Sequence, residues 1–577
     1  MKPVPSQGHG NLPCEGAGPA VSGYLTFKET NCKNCYKCIR HCPVKAIGFS
    51  KNQAQVMETD CILCGQCFVT CPQNAKSIRQ DISAAKALLR SGATVFASVA
   101  PSYAAAFGEV GFHALREALL GLGFAGAEET ALGATLVKKE YERLIHEGSQ
   151  KVIISSCCHS INLLVQKYFP DLAGMLARVT SPMLAHGLSL RERHPGAKVV
   201  FIGPCLSKKA EAEEYAGAID SVLTFEELLD WFEQAKIILN SQPQEEDTSG
   251  KARLFPITGG ILKTLELEAA EYSLMAVDGL ESCMAALRDI AKGGISRCFI
   301  EMSACAGSCV GGPVMARKCV SPVRDRQTIQ KNAGQRDFAV EEPAFSLKRT
   351  LPMAPVRRYK FGGKAVAEAL AQMGKTLPEH ELNCGSCGYD TCREKAEAIL
   401  SGKAELSMCL PYLMARAESF SDNIINNTPN GILVLNRDFA VQQINSAACQ
   451  LMNLREAGAV LGRHVVCILD PAPFEEAISG GRNSYEQEVY LAEYQRYVKM
   501  TIVRDAKYDI LIVIMRDVTN AHAERSGKTE RSRKSIEIAD KVIEKQMRTV
   551  QEIASLLGET TAETKVALEK LKETIQG

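Results

Sequence analysis

Residues 299–313 read FIEMSACAGSCVGGP, and this stretch decides how the middle of the chain is interpreted. A short apolar, strand-like run opens it, and the loop that follows presents Cys305 and Cys309. Two earlier stretches repeat that order, SSCCHS at 155–160 and GPCLSKKAE at 203–211. Each of the three stretches therefore predicts a strand that ends in a cysteine-bearing loop.

The segments around these loops alternate between apolar strand-like runs and helical patterns, from about residue 83 to residue 320. Helical patterns cover 104–122 and 160–178, and the stretch 321–355, with several prolines and mixed charge, is expected to be a linker. Such alternation is typical of an α/β body. The strand-like runs are Ala93 to Val99, Val152 to Ser155, Val199 to Ile202 and Arg297 to Ile300.

Two cysteine runs nearer the amino terminus share the spacing Cys-x-x-Cys-x-x-Cys-x-x-x-Cys-Pro and begin 29 residues apart. This spacing lets three thiolates of one run hold one cubane, while the fourth thiolate comes from the other run. Zinc is the alternative metal, but a zinc site does not require a doubled run with trailing prolines. The segment resembles bacterial two-cluster ferredoxins. The resemblance predicts two 4Fe-4S clusters, one on Cys32, Cys35, Cys38 and Cys71, the other on Cys61, Cys64, Cys67 and Cys42.

A third cysteine group lies in the stretch NCGSCGYDTCREKAEAIL and beyond it. It resembles the single-cluster 4Fe-4S module that is appended to several anaerobic redox proteins, and zinc stays open as the alternative. Gly385 and Gly388 would let backbone N–H groups approach the cluster sulfurs. The predicted ligands are Cys384, Cys387, Cys392 and Cys409.

The three cysteine loops of the body together resemble the signature loops of FeFe hydrogenases, over roughly residues 83–320. The resemblance implies an H-cluster, a 4Fe-4S cubane joined to a two-iron unit that carries carbon monoxide, cyanide and a dithiolate. Cys309 would bridge the two parts, and a relative that keeps only the cubane is the structural alternative. The cubane ligands would be Cys158, Cys205, Cys305 and Cys309.

The same resemblance assigns roles to side chains beside the H-cluster. Lys208 matches the lysine that contacts a cyanide, and Glu211, three residues on, would orient it. Cys157 matches the thiol that passes a proton to the two-iron unit, and Ser181 matches a serine of the proton route. The residues expected to line the cofactor are Gly203, Pro204 and Ser303.

This sequence departs from the family at several of these positions. His159 stands where proline is usual, and Gly203 and Ser303 replace two methionines. The acidic stretch that relays protons in the family corresponds to LVKKEYERL at 136–144. There, Lys138 and Lys139 interrupt it and leave Glu140 or Glu142 as candidates. Because a cation in the relay repels an incoming proton, we expect slow turnover.

The carboxyl-terminal part changes to short alternating strands and then to a heptad pattern. Residues 419–520 resemble a PAS domain, with GILVLN at 431–436 as the first strand, further strands near 485–491, 496–504 and 508–516, and an Asp-Val-Thr exit. The heptad pattern is compatible with two arrangements. The final helix could pair with the same helix of a second chain, or it could pack as a single helix on its own domain. The seam is Ile536, Asp540, Ile543, Met547, Val550, Ala554, Leu557, Thr561, Thr564, Leu568, Leu571 and Ile575.

Charge, hydropathy and the opening residues bear on the partners and the location of the protein. The net charge of +1 gives no electrostatic reason to expect nucleic acid or an anionic membrane, and no apolar run approaches the ~20 residues that cross a bilayer. The opening residues do not resemble a signal peptide, so we expect a cytoplasmic protein. Isolated Cys449, Cys467 and His464 receive no ligand role, and Cys14, Cys283, Cys298 and Cys319 have no mate at ligand spacing.

The sequence thus predicts a multidomain α/β and α+β protein that interconverts dihydrogen with protons and electrons, most simply as a hydrogen sensor with a downstream signalling partner. The alternatives are an ordinary hydrogenase linked to ferredoxin and a non-catalytic iron-sulfur redox scaffold. The predicted segments are a flexible leader 1–22, a ferredoxin domain 23–82, an H-cluster domain with its linker 83–355, a 4Fe-4S module 356–412, a PAS domain 413–520 and a signalling helix 521–577.

Overall fold

The computed structural model describes residues 23–28, 31–50, 53–108, 110–239, 249–267, 272–315, 321–357, 359–479 and 484–576. The predicted leader 1–22, with Cys14, and also Cys319 lie outside these ranges. The chain divides into two compact units, Met1–Leu413 and Met414–Gly577. No helix in the described ranges combines the length and the apolar character needed to cross a bilayer.

The first part of the first unit is built from two similar halves. Antiparallel strand Leu25–Phe27 pairs with Lys76–Ile78, and Ile47–Ser50 pairs with Gln53–Val56. The short helices Lys37–Arg40 and Gln66–Val69 each carry the third cysteine of a run and each follow a residue of positive φ, Tyr36 at 54° and Gly65 at 74°. These matching halves confirm the predicted repeat.

Two parallel sheets form the α/β body, and the cysteine loops leave the carboxyl ends of their strands. One sheet has the order Gly126–Glu129, Val95–Val99, Lys198–Gly203, Ser221–Thr224. The other has the order Ser273–Asp278, Cys298–Ser303, Val152–Ile154. In open α/β sheets, ligands bind outside the carboxyl ends of the strands, so this topology brings the three loops to one edge.

Helices cover both sheets, and two of the predicted helical stretches are interrupted. The stretch 104–122 is two helices because the chain turns at Gly108, where φ is 67°. The stretch 160–178 is a helix followed by the 3-10 turn Pro170–Met175, since proline cannot continue the hydrogen-bond ladder. The helices of the body are Ile82–Arg90, Tyr103–Phe107, Phe112–Gly121, Ala131–Glu147, His159–Tyr168, Pro182–Arg193, Ser207–Glu214, Phe225–Ala235, Gly260–Thr264 and Leu280–Ala291.

The stretch 321–355 differs from the predicted linker because it packs on the body. It begins with helix Pro322–Asn332, capped by the Ser321 hydroxyl, which accepts from the Arg324 N–H. Further on, the Thr180 N–H donates to Leu347 O at 2.8 Å, and the Arg349 N–H donates to Arg178 O at 2.9 Å. These backbone hydrogen bonds hold this segment against the edge that carries the cysteine loops.

The third cysteine group forms a small module around helices Gly363–Gln372 and Cys392–Leu400. It contacts the ferredoxin part directly: Lys45 Nζ donates to Gly388 O at 3.0 Å, and Lys403 Nζ pairs with Asp60 at 2.6 Å. The Gly388 backbone lies so close to Ile39 that a Cβ there would be 2.9 Å from the Ile39 Cβ. The module and the ferredoxin part therefore share one packed core.

The second unit contains a five-stranded antiparallel sheet with the order Val441–Ile444, Gly431–Asn436, Ile510–Asp517, Arg496–Asp505, Ser484–Leu491. These strands confirm the predicted ones, and helices Ser446–Leu451 and Ala472–Ser479 pack on the apolar core. Helix Leu410–Asn427 spans the division between the units. The fold class predicted from sequence is confirmed.

The final helix runs from Thr519 to Gln576. Of its predicted seam, Ile536, Ile543, Met547 and Val550 are each more than half exposed. The side chains of Leu557, Thr561, Leu571 and Ile575 lie outside the described residues. Both a dimer and a solitary helix therefore stay open.

Candidate active site and cluster sites

Four cysteines from three loops meet in one pocket of the body, which we call the cubane pocket. Its lining includes Cys158, Cys205, Cys305 and Cys309, the predicted ligands of the cubane. Because Cys158 and Cys309 are 151 positions apart in the sequence, their meeting is a product of the parallel sheets and not of local spacing. Four thiolates around one pocket are the donor set that a 4Fe-4S cluster uses.

The ferredoxin part reaches into this pocket through Leu63 and Cys64, which line it as well. The contact is tight, since a Cβ added to Gly65 would lie 2.5 Å from Pro313 Cβ. The predicted cluster of Cys61, Cys64, Cys67 and Cys42 is thus the neighbour of the cubane pocket.

A second, larger space of about 110 Å³ adjoins the cubane pocket, and we call it the large cavity. The two share Cys158, Cys205, Cys309, Pro204, Ser303 and Ser308. The rest of its lining is mostly apolar. It consists of Ala100, Pro101, Ser102, Thr130, Ala134, Cys157, His159, Pro182, Met183, Phe201, Lys208, Phe255, Pro256, Ile261 and Met302.

The lining of the large cavity fits the two-iron unit. Cys309, the cysteine that the resemblance makes the bridge, lines both spaces, and Lys208 brings a cation that suits an anionic, cyanide-bearing group. Two buried polar groups of the lining have no hydrogen-bond partner among the described residues, the Ser102 hydroxyl and the His159 imidazole, whose Nε2 lies 3.6 Å from the Glu214 carboxylate. Buried polar atoms normally find partners, so these two indicate a polar occupant.

A chain of buried charges holds Lys208. Its ammonium donates to Cys157 O at 3.0 Å and pairs with Glu211, which in turn pairs with Arg349. Burial alone would raise the pKa of the Glu211 carboxyl, but Lys208 and Arg349 lower it to about 2. Arg349 also stacks on the Tyr215 ring at 4.1 Å. The segment expected to be a linker thus supplies a second cation beside the cavity.

Cys157 has a tyrosine as its side-chain partner. The Tyr141 hydroxyl is 3.1 Å from Cys157 Sγ and accepts a hydrogen bond from the Ser156 N–H at 2.9 Å. Burial raises the pKa of the Cys157 thiol to about 12, although the Tyr141 hydrogen bond and Lys208 act in the opposite direction. At neutral pH the side chain is therefore a thiol that can donate or accept a hydrogen bond.

The stretch 136–144, predicted to correspond to the proton relay, lies in the helix Ala131–Glu147. Lys138 is buried and surrounded by carboxylates, with Asp337 at 2.5 Å, Glu142 at 3.4 Å and Glu266 at 3.4 Å. Its positive charge is therefore compensated, which weakens the repulsion inferred from sequence. Glu140 pairs with Arg143.

Ser181 is fully buried and caps the helix Pro182–Arg193, where its hydroxyl accepts from the Leu184 N–H at 3.5 Å. The described contacts do not connect Ser181 to Cys157.

The two positions that lack methionine have different neighbours. At Gly203, the ring of Phe201 lies 2.7 Å from where a Cβ would stand, and this ring lines the large cavity. At Ser303, the hydroxyl hydrogen-bonds the Ser308 hydroxyl at 2.9 Å. Pro204 lines both spaces. An aromatic ring thus forms the wall beside Gly203, which the sequence did not predict.

Two of the three other predicted ligand sets each line a shared pocket. Cys32, Cys35, Cys38 and Cys71 line one pocket, which we call the outer pocket, and Cys384, Cys387, Cys392 and Cys409 line another, the third pocket. All 21 cysteines within the described residues are free thiols. In the same residues, no group of three or more His, Cys, Asp or Glu side chains could hold a single metal ion.

Four family models match the chain. They are described as iron only hydrogenase large subunit, C-terminal domain, over residues 93–313, 4Fe-4S dicluster domain over 24–72, putative Fe-S cluster over 377–411 and PAS domain over 429–520. The chain carries an FeFe-hydrogenase domain and a PAS domain. The combination fits a sensory, PAS-containing FeFe hydrogenase, and iron-sulfur cofactors follow from the matched domains.

Two known proteins match parts of this chain. Iron hydrogenase 1 of Clostridium pasteurianum is 26% identical over 282 residues, which are 38% of this chain and 49% of that protein. The chain thus spans about half the length of this relative. A component of the ion-translocating oxidoreductase complex of Alkalilimnicola ehrlichii is 34% identical over 65 residues, 11% of this chain and 32% of that protein.

Among solved structures, a variant of FeFe-hydrogenase HydA1 from Chlamydomonas reinhardtii is 21% identical, with a TM-score of 0.36, over 44% of this chain and 88% of that one. The PAS domain of an HTR-like protein from Haloarcula marismortui is 21% identical, with a TM-score of 0.16, over 18% of this chain and 93% of that one.

Sequence reasoning missed three residues beside the hydrogenase cavity: Ser102, Tyr141 and Arg349. Ser102 could have been found, because the run Ala100-Pro101-Ser102 follows a strand just as the cysteine loops do. Tyr141 and Arg349 carry no local signal, since each reaches its partner through packing between distant segments.

Proposed function

We propose that this protein is a hydrogen sensor that binds dihydrogen at an H-cluster and interconverts it slowly with protons and electrons. The observation that carries the proposal is the shared wall of the cubane pocket and the large cavity, with Cys309 in both linings and Lys208 in the cavity. This arrangement supports one thiolate joining a cubane to a second metal unit. Three further 4Fe-4S clusters complete the proposed cofactor set.

When bound, the two-iron unit would supply a Lewis-acidic iron and a basic amine between which dihydrogen splits. The protein residues hold and isolate that chemistry. Glu211 and Arg349 fix the Lys208 ammonium, and the mostly apolar lining disfavours water in the cavity. Cys157 is the thiol at which we propose that a proton enters or leaves.

Slow turnover is proposed from the partner of that thiol. A carboxylate exchanges protons readily near neutral pH, whereas burial raises the pKa of the Tyr141 hydroxyl well above its ordinary value. A proton transferred through Tyr141 therefore meets a poor acid and a poor base. This supports hydrogen binding with a low rate of conversion.

Redox state would pass from the H-cluster through the cluster at Cys64 and on to the PAS domain and its helix. Proximity supports the first step, since Cys64 lines the cubane pocket. A downstream signalling protein would read the output, and the exposed seam of the final helix supports a second copy of this chain as one partner.

An ordinary hydrogenase that exchanges electrons with ferredoxin is the second candidate, and one feature favours it. The outer pocket has an exposed ligand, Cys35, between the exposed lysines Lys33 and Lys37. No acidic residue occurs from Asn31 to Ser50. A basic rim around an accessible cluster suits an acidic electron carrier.

Infrared spectroscopy after maturation with a synthetic two-iron precursor tests the proposal. We expect bands of iron-bound carbon monoxide and cyanide, a response of these bands to hydrogen, and oxidation of dihydrogen far slower than in the fast hydrogenases. Absence of the bands would leave only an iron-sulfur scaffold. Fast oxidation coupled to ferredoxin, without any hydrogen-dependent change in a partner, would favour the second candidate.

A further inference from the structure

Four side chains form a continuous line of hydrogen bonds from the large cavity to the protein surface. Thr130 lines the cavity, and its hydroxyl is 2.8 Å from the Ser98 hydroxyl. Ser98 Oγ is 2.8 Å from His186 Nδ1, and His186 Nε2 is 3.2 Å from Glu128 Oε2. None of the four was singled out by the sequence.

The line runs from complete burial to solvent. Ser98 and His186 are 0% exposed and Thr130 is 3% exposed. The Glu128 side chain is 22% exposed, and it pairs with Arg193, whose side chain is 43% exposed. The inner end therefore meets the cavity, and the outer end meets water.

The fold builds this line from elements that also shape the cavity. Ser98 belongs to strand Val95–Val99, and Thr130 follows strand Gly126–Glu129, which carries Glu128. His186 lies in the helix Pro182–Arg193. That helix comes very close to the helix of Gly133, where a Cβ would be 2.7 Å from His186 Cβ. A glycine at position 133 thus allows the imidazole to approach the hydroxyls.

We propose that Thr130, Ser98, His186 and Glu128 form a proton route between the large cavity and the surface, separate from Cys157. The inference rests on the proposed function. An outward step is balanced: Thr130 takes a proton from the cavity and gives its own to Ser98, Ser98 gives its proton to His186 Nδ1, and His186 Nε2 gives one to Glu128. Each O–H or N–H bond that breaks is replaced by another along the line, and no oxidant or reductant is needed.

The charges around His186 suit a relay. Burial lowers the pKa of His186, while the neighbouring Glu128 and Glu129 act to raise it and Arg193 acts to lower it. Arg253 in turn compensates Glu129 in a pair at 2.6 Å. The neutral ring can accept a proton at one nitrogen and release one from the other without holding a charge.

Glu128 suits the outer end of the route. Burial acts to raise the pKa of its carboxyl, but His186 and Arg193 lower it to about 2, so this group returns a proton to water readily.

The test uses the full chain loaded with its clusters and the synthetic two-iron precursor. Thr130→Val and Glu128→Gln interrupt the two ends of the route with side chains of similar volume. Thr135→Val is the matched control, because Thr135 is equally buried in the helix that follows Thr130 and bonds only Ala131 O among the described contacts. Thermal melting checks that all variants fold.

Two readouts decide the outcome. We expect exchange between deuterium gas and water to fall at least tenfold in Thr130→Val and Glu128→Gln, and to stay unchanged in Thr135→Val. Because one line is interrupted in both cases, the double variant should be no slower than either single variant. In infrared spectra, the carbon monoxide and cyanide bands should keep their positions in all three variants, so that a loss of exchange is assigned to the route and not to the cofactor.

The failures are distinguishable. Normal carbon monoxide and cyanide bands with unchanged exchange in Thr130→Val would overturn the route and leave the proposed function standing. Absence of those bands in the parent protein would overturn both.

Discussion

The cluster pockets and the large cavity draw their lining residues from the chain in opposite ways. The outer and third pockets each gather four cysteines from a single domain, within 40 residues of chain in the first case and 26 in the second. In the large cavity, Cys309 alone is proposed to bridge to the second metal unit, and the other lining residues come from at least six separate segments. A cluster held by four bonds tolerates changes around it, whereas a unit held by one bond depends on every neighbour.

Removing Cys309 should have the largest effect of the substitutions considered. Cys309→Ser takes away the only thiolate proposed to join the two metal units, so the carbon monoxide and cyanide bands should disappear while the ferredoxin clusters remain. Infrared and electron paramagnetic resonance spectra measure the two parts. Cys298→Ala, in the strand before the loop and outside every pocket described, is the control and should keep the bands. Bands that persist in Cys309→Ser would break the comparison.

Removing Arg349 tests whether a distant segment supports the cavity. Arg349→Met leaves the fully buried Glu211 with one cation instead of two, and losing one partner of a buried ion pair costs about 3 kcal/mol or more. We expect the free energy of unfolding of the first unit to fall by that amount. Denaturant titration measures this change. Arg143→Met removes a partly exposed pair and should cost less than about 1 kcal/mol. Equal losses would show that burial of the charge network does not matter.

Removing the Tyr141 hydroxyl tests the environment of the proposed proton-transfer thiol. Tyr141→Phe leaves Cys157 without this side-chain contact, so the frequency of its S–H stretching band should change. Tyr103→Phe is the control, since Tyr103 is equally buried but bonds Asn332. An unmoved S–H band would mean that the contact is absent in solution.

A lysine beside the third pocket should have the smallest effect. Lys395 is buried in the lining of this pocket, and its positive charge favours the reduced, more negative cluster. Lys395→Met should lower the reduction potential by less than about 60 mV, the value of a tenfold change for one electron. Redox titration measures it, and the exposed Lys364→Met is the control. A shift larger than about 60 mV would contradict the expectation that this pocket tolerates changes around its cluster.

Prediction from sequence worked where the determinant is local. The spacing of Cys32 to Cys71 and of Cys384 to Cys409 matches the pockets because neighbouring residues must reach one cluster. The strands of the body and of the PAS domain were predicted from apolar patterning. The break at Gly108 was readable in principle, since glycine readily adopts positive φ.

Prediction failed where packing brings distant segments together. Arg349 lies 138 residues from Glu211, and a stretch with several prolines gave no sign that it would cover the site. Lys138 was interpreted as an isolated cation because Asp337 and Glu266, which surround it, come from other segments. Ser98 and His186 meet through a helix contact that Gly133 permits, and no sequence pattern reports such an approach.

The close approach of Gly65 to Pro313 has a consequence for how such proteins can diversify. Any side chain at position 65 would push the ferredoxin part away from the loop of Cys309 and lengthen the gap that an electron must tunnel across. The residues at this contact therefore have to match each other in size. A chimaera would have to inherit both loops from the same parent.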